Sequence, residues 1–379
     1  MARNRNIYQS DILYVGPTGT FPATGKHFGG AVIGGGEVTG SNLVAELFRV
    51  QTCNYTWNKT LRDVNQFGEL GAIDRIPVEQ PTVTLNFSYL LANLVNEKLL
   101  GFNISTGTQV TMVSGILNGL TDNKNYFLRT VDEGNDAVGV NEGTSDVVAI
   151  GNGFISSYTA EGSVGDFPRA TVDLEGLNIK FDNVSSGGYI PAVNPTDGTA
   201  ITGFLYALTT ATQNVGGQTI NTSNTSLSVL RPGDITLSLG LTAGEGHGGW
   251  LESDLKVQNF SFSFNLAREN LEKLGSKYAF AKIIQFPAQA TLNVTANVGD
   301  AQTGSLVEMI NNNTTFNPSV TIRKPGTTDT VVYYNLRGAK LDSQDVSESI
   351  GPSKSVTMQF SSQIAGPQST NGCFCSGAN

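Results

Sequence analysis

Two stretches of the chain carry one pattern at a fixed offset in numbering, 257 − 50 = 207. Val50-Gln51-Thr52-Cys53-Asn54-Tyr55-Thr56-Trp57-Asn58 recurs as Val257-Gln258-Asn259-Phe260-Ser261-Phe262-Ser263-Phe264-Asn265. The same offset carries Gly68 onto Gly275, and Thr84-Leu85-Asn86 onto Thr291-Leu292-Asn293. An offset that persists through several elements marks an internal repeat. In an extended strand alternate residues face opposite sides. Cys53, Tyr55 and Trp57 therefore share one apolar face, as do Phe260, Phe262 and Phe264, and both faces are expected in the core. Downstream, Val83, Leu85 and Phe87 match Ala290, Leu292 and Val294 on the inward side. Thr84, Asn86 and Ser88 match Thr291, Asn293 and Thr295 on the outward side. Half-buried strands with a polar, almost uncharged outer face predict an all-β fold, with each repeat burying its own core.

Composition narrows the function. Of 379 residues only 15% are charged, the net charge is −9, and 44 are glycine. Lysine and arginine are scattered, which does not suit a nucleic-acid-binding surface. Polarity comes mostly from Thr, Ser, Asn and Gln, a profile of an all-β structural protein rather than a helical enzyme. Gly244, Gly246 and Gly249 satisfy G-x-G-x-x-G, but a dinucleotide site needs that pattern between a strand and a helix, and strand-like residues follow here. His27 and His247 are too few for a histidine metal site, and no nucleophile motif accompanies them. The acidic run Asp132–Asp136 lacks the spacing of a calcium loop. No enzyme activity, metal or cofactor is expected. Cys53 is expected as a small core residue, and Cys373 and Cys375 as part of a solvated tail. The first residues read as neither a secretory signal nor a membrane span.

Along the chain, residues 1–45 form a glycine-rich arm with a short strand at Ile12–Val15. Between the paired strands of each repeat runs a charged connection. The first carries Arg62, Asp63, Glu69 and Asp74, and the second Arg268, Glu269, Glu272 and Lys273. After Tyr89 the apolar spacing becomes helical through Leu100, with Asn93 as a cap and Gly101 as the stop. The second copy predicts a helix from Asp300 to Ile310. The last section of each repeat matches at a smaller offset, 350 − 164 = 186, through Val164-Gly165 and Ile350-Gly351. The shortfall between the two offsets, 207 − 186 = 21, is assigned to an extra loop at about 119–153 in the first copy.

Several strings of this repeat resemble the major tail tube proteins of long-tailed bacteriophages. They are Phe48–Asn58 with Leu61–Gly68, Val257–Asn265 with Arg268–Gly275, Val298–Ile310 and Gly338–Ser343. The resemblance implies two tandem β-sandwich or barrel domains of the tail-tube kind, each with one short helix, spanning 1–190 and 191–379. It implies a virion tail protein whose rings close through their inner strands and stack into a conduit for DNA ejection. Tube rings of that family are usually built of six such domains, so three two-domain chains would make one ring, a trimeric pseudo-hexamer. The expected partners are further copies of the chain, other tail proteins, and genomic DNA in passage without tight binding. The candidate lumen wall is Thr84, Asn86, Ser88, Thr291, Asn293 and Thr295, and the charged connections are the candidate contacts between rings. A duplicated jelly-roll capsid protein and a carbohydrate-binding surface module are the alternatives.

Overall fold

The computed structural model describes residues 11–17, 45–104, 110–117, 123–131, 145–183, 191–194, 199, 213–215, 218–220, 230–240, 252–276, 278–279, 281–298, 314–348, 354–364, 366 and 369–377. The first half contains β1 (Asp11–Pro17), β2 (Ala45–Glu46), β3 (Val50–Asn58), β4 (Leu61–Val64), β5 (Asp74–Pro77) and β6 (Thr82–Leu90). Two short helices follow, α1 (Val95–Leu100) and α2 (Ser114–Leu117). Then come β7 (Asn123–Val131), β8 (Ser145–Ser163), β9 (Arg169–Gly176) and β10 (Asn178–Asn183). A small ladder of β11 (Gln213–Val215) and β12 (Gln218–Ile220) precedes the second half. That half holds β13 (Ile235–Ser238), β14 (Leu255–Asn265), β15 (Arg268–Leu271), β16 (Ala281–Ile284) and β17 (Ala288–Val298). It ends with β18 (Ser319–Arg323), β19 (Thr330–Arg337), β20 (Lys340–Ser347), β21 (Ser355–Ile364) and β22 (Gly372–Ser376). The architecture is all-β.

Eight of these strands form one continuous antiparallel sheet in the order β3-β6-β9-β8-β14-β17-β21-β20. The second four strands follow the pairing pattern of the first four. β3 lies on β6 with a bulge at Gln51, and β14 lies on β17 with a bulge at Gln258, its counterpart at the larger offset. β8 lies on β9 with a bulge at Ser156, and β20 lies on β21 with a bulge at Asp342, its counterpart at the smaller offset. A bulge puts two residues opposite one and sharpens the local twist. Matched bulges therefore bend the two four-stranded units alike.

A second layer covers the apolar face of this sheet. In the first half it is β1-β7-β8-β10, because the 19-residue β8 serves both sheets. In the second half it is β13-β18-β19-β22. The crossing from one layer to the other occurs at Asn152, φ 52°, and at Gly338, φ 64°, again related by the smaller offset. Left-handed backbone at that corner is natural for glycine and tolerated by asparagine. The core alternates as the strands predict, with Val83, Leu85, Phe87, Leu292, Val294, Phe262 and Phe360 all buried.

Four expectations change. The helix is shorter than its apolar spacing suggested. It ends at Gly101 in the left-handed conformation, but Leu94 rather than Asn93 occupies the cap, and Asn93 accepts a long 3.4 Å bond from Val95 N. The range 119–153 is not all loop, since it contains β7 and the first part of β8, paired with each other, while 119–122 and 132–144 lie outside the described residues. Cys373 and Cys375 are not in a solvated tail, because β22 pairs with β19 and buries both thiols. Tyr55 and Trp57 are not in the core, because β3 is the outermost described strand of its sheet. The run Asp132–Asp136 and the helix expected at 300–310 lie outside the described residues.

Candidate functional site

Among the described strands, the long sheet has two free edges, β3 at one end and β20 at the other. Unpaired edges are templates for pairing with another chain, and soluble proteins usually blunt them. β3 is not blunted. Tyr55 is 38% and Trp57 56% exposed, on the face that continues Leu85 and Val83 of β6. On β20, Val346 is exposed on the face of Val356.

Inside the chain, the edge β8 of the first unit meets the edge β14 of the second, from Asn259 opposite Ser163 to Asn265 opposite Ser157. There the counterparts of Tyr55 and Trp57 are covered. Phe262 stacks on Tyr334 with centroids 5.1 Å apart, and Phe264 packs on Tyr158 at 5.5 Å and Phe102 at 5.7 Å. Phe102 and Tyr158 belong to the first half, so the neighbouring unit supplies both rings packed on Phe264.

The opposite face of the sheet is polar. Thr84 is exposed, and Asn86, Ser88, Thr291, Asn293 and Thr295 are half-buried on it. Ser88 Oγ meets Thr52 Oγ1 at 2.7 Å, Ser263 Oγ meets Thr291 Oγ1 at 2.9 Å, and Thr295 Oγ1 meets Thr357 Oγ1 at 3.2 Å. Asp173 accepts from Asn86 Nδ2 and from Ser157 Oγ at 2.6 Å. The six expected wall residues thus share one face with residues not singled out from sequence: Ser157, Thr159, Asp173, Ser261, Thr357 and Gln359. The alternation Ala170-Thr171-Val172-Asp173-Leu174 holds that signal.

The charged connections fold as hairpins, β4–β5 and β15–β16, at matching positions. Their tips turn at Gly68, φ 91°, and Gly275, φ 84°, where left-handed backbone suits glycine. Those tips carry Phe67, Leu70 and Leu274 fully exposed. Arg62, Glu69 and Asp74 are exposed, and Asp63 accepts from Arg75 Nε at 2.6 Å. Glu269 is exposed, while Glu272 and Lys273 line a cleft of about 440 Å3 with Lys59, Glu79 and Tyr278.

Arg268 departs from the expected outward role. It donates to Ile155 O at 3.2 Å and lies 5.0 Å from the Phe154 ring centroid, so it clamps the second hairpin onto the first half. Lys282 does the same, donating to Glu175 Oε2 at 3.0 Å. The strands of the first hairpin, in contrast, are exposed throughout. At the other end of the sheet, where Leu90 pairs with Arg169, the turn after β8 exposes Val164 and Phe167.

Among the described residues no group of three or more His, Cys, Asp or Glu is placed to hold a metal ion. No described helix is long and apolar enough to cross a membrane, which says nothing of strands.

No protein-family model and no curated protein matches the sequence. Among solved structures, the tail of an empty gene transfer agent particle refined helically in C6 symmetry aligns at 16% identity and TM-score 0.23. That alignment covers 36% of this chain and 95% of the other. The virion of a native gene transfer agent particle gives 13% identity and TM-score 0.22 over 39% and 98%. The tube-terminating cap of an anti-feeding prophage gives 13% and 0.25 over 41% and 99%. At these TM-scores the likeness decides nothing about this chain.

Proposed function

We propose that this chain is a virion structural protein, the subunit of a phage tail tube, built of two tube-like domains joined in tandem. The observation that carries the reading is the seam between β8 and β14. One four-stranded unit already continues into the next there, and among the described strands the corresponding edges, β20 and β3, are left open at the ends. A second copy placed by the same rule sets β20 against β3. Carrying the seam through the two offsets pairs Asn54 with Ser347, Tyr55 with Val346, Thr56 with Asp345, Trp57 with Gln344 and Asn58 with Ser343. This register keeps apolar opposite apolar at Tyr55 and Val346, and polar opposite polar at Thr56 and Asp345. A register one residue off would invert every pair.

A heterologous contact of this kind closes into a ring if the rotation allows it. Three chains supply 3 × 8 = 24 strands. At about 4.8 Å between strands and a tilt of about 40°, such a barrel is roughly 50 Å across at the backbone, an open lumen rather than a packed core. With the second layer outside, the polar face lines that lumen. Thr84, Asn86, Ser88, Thr291, Asn293 and Thr295, together with Asp173, offer hydroxyls, amides and negative charge. Such a wall lets genomic DNA pass without phosphate neutralisation and tight binding.

Rings then stack head to tail. Apolar tips at one end, Phe67, Leu70 and Leu274, and Val164 and Phe167 at the other, leave both ends with surface to bury. The charges at Arg62, Asp63, Glu69, Asp74, Glu269, Glu272 and Lys273 surround the tips and set orientation more than strength, since exposed ion pairs contribute about 0–1 kcal/mol. Other tail proteins would cap the two ends.

Exposed Tyr55 and Trp57 would also suit a sugar-stacking platform, the carbohydrate-binding alternative. That reading leaves the open β20 edge and the matching inner seam without a role. Electron microscopy of the purified full-length chain separates the two. Tubes with threefold end-on symmetry support the proposal. Six full-length chains per ring overturn the stoichiometry, and a monomer that never polymerises overturns the tube.

A further inference from the structure

Glu97 on α1 is fully buried, 0% exposed. Its Oε1 accepts from Tyr89 Oη at 2.8 Å and from Tyr158 Oη at 3.0 Å. Tyr158 Oη lies 2.7 Å from Tyr334 Oη. A tyrosine hydroxyl has one proton to give. Tyr158 gives its proton to Glu97, so Tyr334 donates to Tyr158. A donor chain therefore runs from β19 of the second half to a carboxyl of the first half. Glu97 Oε2 is buried and has no hydrogen-bond partner.

Among the described residues, the elements around this carboxyl bring no cation to it. The titratable groups facing it are Tyr89 on β6, Tyr158 on β8, Tyr334 on β19 and Cys375 on β22, with Cys373 behind Cys375. All are neutral acids whose pKa is raised, by burial first. The same region joins the halves by backbone, since Met112 N donates to Cys373 O at 2.8 Å.

We propose that Glu97 is a pH-sensitive latch between the two halves of the chain. As a neutral acid it leaves the junction uncharged. Ionised, it holds a charge there with no cation beside it, a cost that parting the halves relieves by hydration and that the bonds from Tyr89 and Tyr158 only partly offset. The latch lies within one chain and does not depend on the tube reading.

Burial raises the carboxyl from 4.5 to about 7, against the opposing hydrogen bonds from its own backbone and from Tyr89 and Tyr158. The sign follows. Between about 4.5 and about 7 the folded chain holds a proton that the unfolded chain has released, so stability falls as pH rises across that window. Below the window both states are protonated, and above it both are ionised. Within it, this one group raises the unfolding constant by about tenfold per pH unit.

Denaturant unfolding of the full-length protein and of Glu97→Gln from pH 5 to 8.5 tests the latch. The expected wild-type profile falls toward pH 7 relative to the variant and then runs parallel to it. Parallel profiles throughout overturn the proposal. Tyr334→Phe removes the donor from the second half and keeps the ring. The expected result is an inflection at higher pH than in the wild type, because the ionised carboxyl loses support. An unmoved midpoint means that Glu97 does not sense the second half, which also overturns the proposal. Should Glu97→Gln fail to fold, the Tyr334→Phe midpoint decides alone.

Discussion

β3 and β14 share an alternation, a bulge and an antiparallel partner at matching positions, yet Trp57 is more than half exposed while Phe264 is 3% exposed. The strands differ in what lies along their second edge. β14 has β8 there, with Phe102 and Tyr158 over its apolar face. Among the described strands, β3 has none there. The hairpins that follow differ in the same way. Lys282 reaches Glu175 across the seam, while Arg75, its counterpart in the first repeat, is paired with Asp63 of its own hairpin. The burial of Phe264 and the reach of Lys282 thus come from the seam, and their counterparts Trp57 and Arg75 lack it.

The largest effect expected from breaking this comparison is at the paired aromatics. Phe264→Ala should cost the free chain roughly 3–5 kcal/mol through the cavity it opens. Trp57→Ala should change free-chain stability by no more than about 0.5 kcal/mol, as surface substitutions do, while impairing polymer growth. Chemical denaturation and light scattering read the two outcomes. Equal losses of stability would mean that β3 is covered within its own chain.

The next effect is at the hairpins. Lys282→Ala should cost about 1 kcal/mol, discounted because Glu175 is half exposed, and Arg75→Ala should cost close to nothing in the free chain. Thermal unfolding of both variants distinguishes them, and a costlier Arg75→Ala would contradict the asymmetry.

The smallest expected effect per contact is at the open edge. A cross-strand pair contributes about 0.2–1 kcal/mol, so Tyr55→Lys should leave the monomer folded and slow polymerisation. Val346→Glu in the same chain should restore growth, because the register sets the new charges opposite each other. Failure of the pair to rescue, with both single variants folded, would reject that register.

Much of this is legible in the sequence. Alternation places Leu85, Phe87, Leu292 and Val294 inside and Thr84, Asn86, Thr291 and Asn293 outside, and Gly101 ends α1. The periodicity of a strand is local, and the chain states it directly. Long-range pairing is not local. Nothing near Cys373-Phe374-Cys375 tells that β19 will pair with it, and nothing near Trp57 tells that β3 will be an edge. Arg268 reads as a solvated loop charge until Ile155 and Phe154 are brought beside it from a distant part of the chain. The strands within 119–153 escape a reading by alternation. Their apolar and polar residues, Asn125-Tyr126-Phe127 among them, form short runs that are buried on both faces.

The central claim is that the open edges repeat the inner seam between copies. Residues directly opposite in an antiparallel pair have Cα atoms about 4.5–5.5 Å apart, within the span of a disulfide. Thr56→Cys with Asp345→Cys in one chain, assembled and then oxidised, should give covalent trimers on a non-reducing gel and little beyond them. The shifted pair Thr56→Cys with Val346→Cys should give far less. Covalent hexamers, an open ladder of products, or cross-linking by the shifted pair alone would contradict the account.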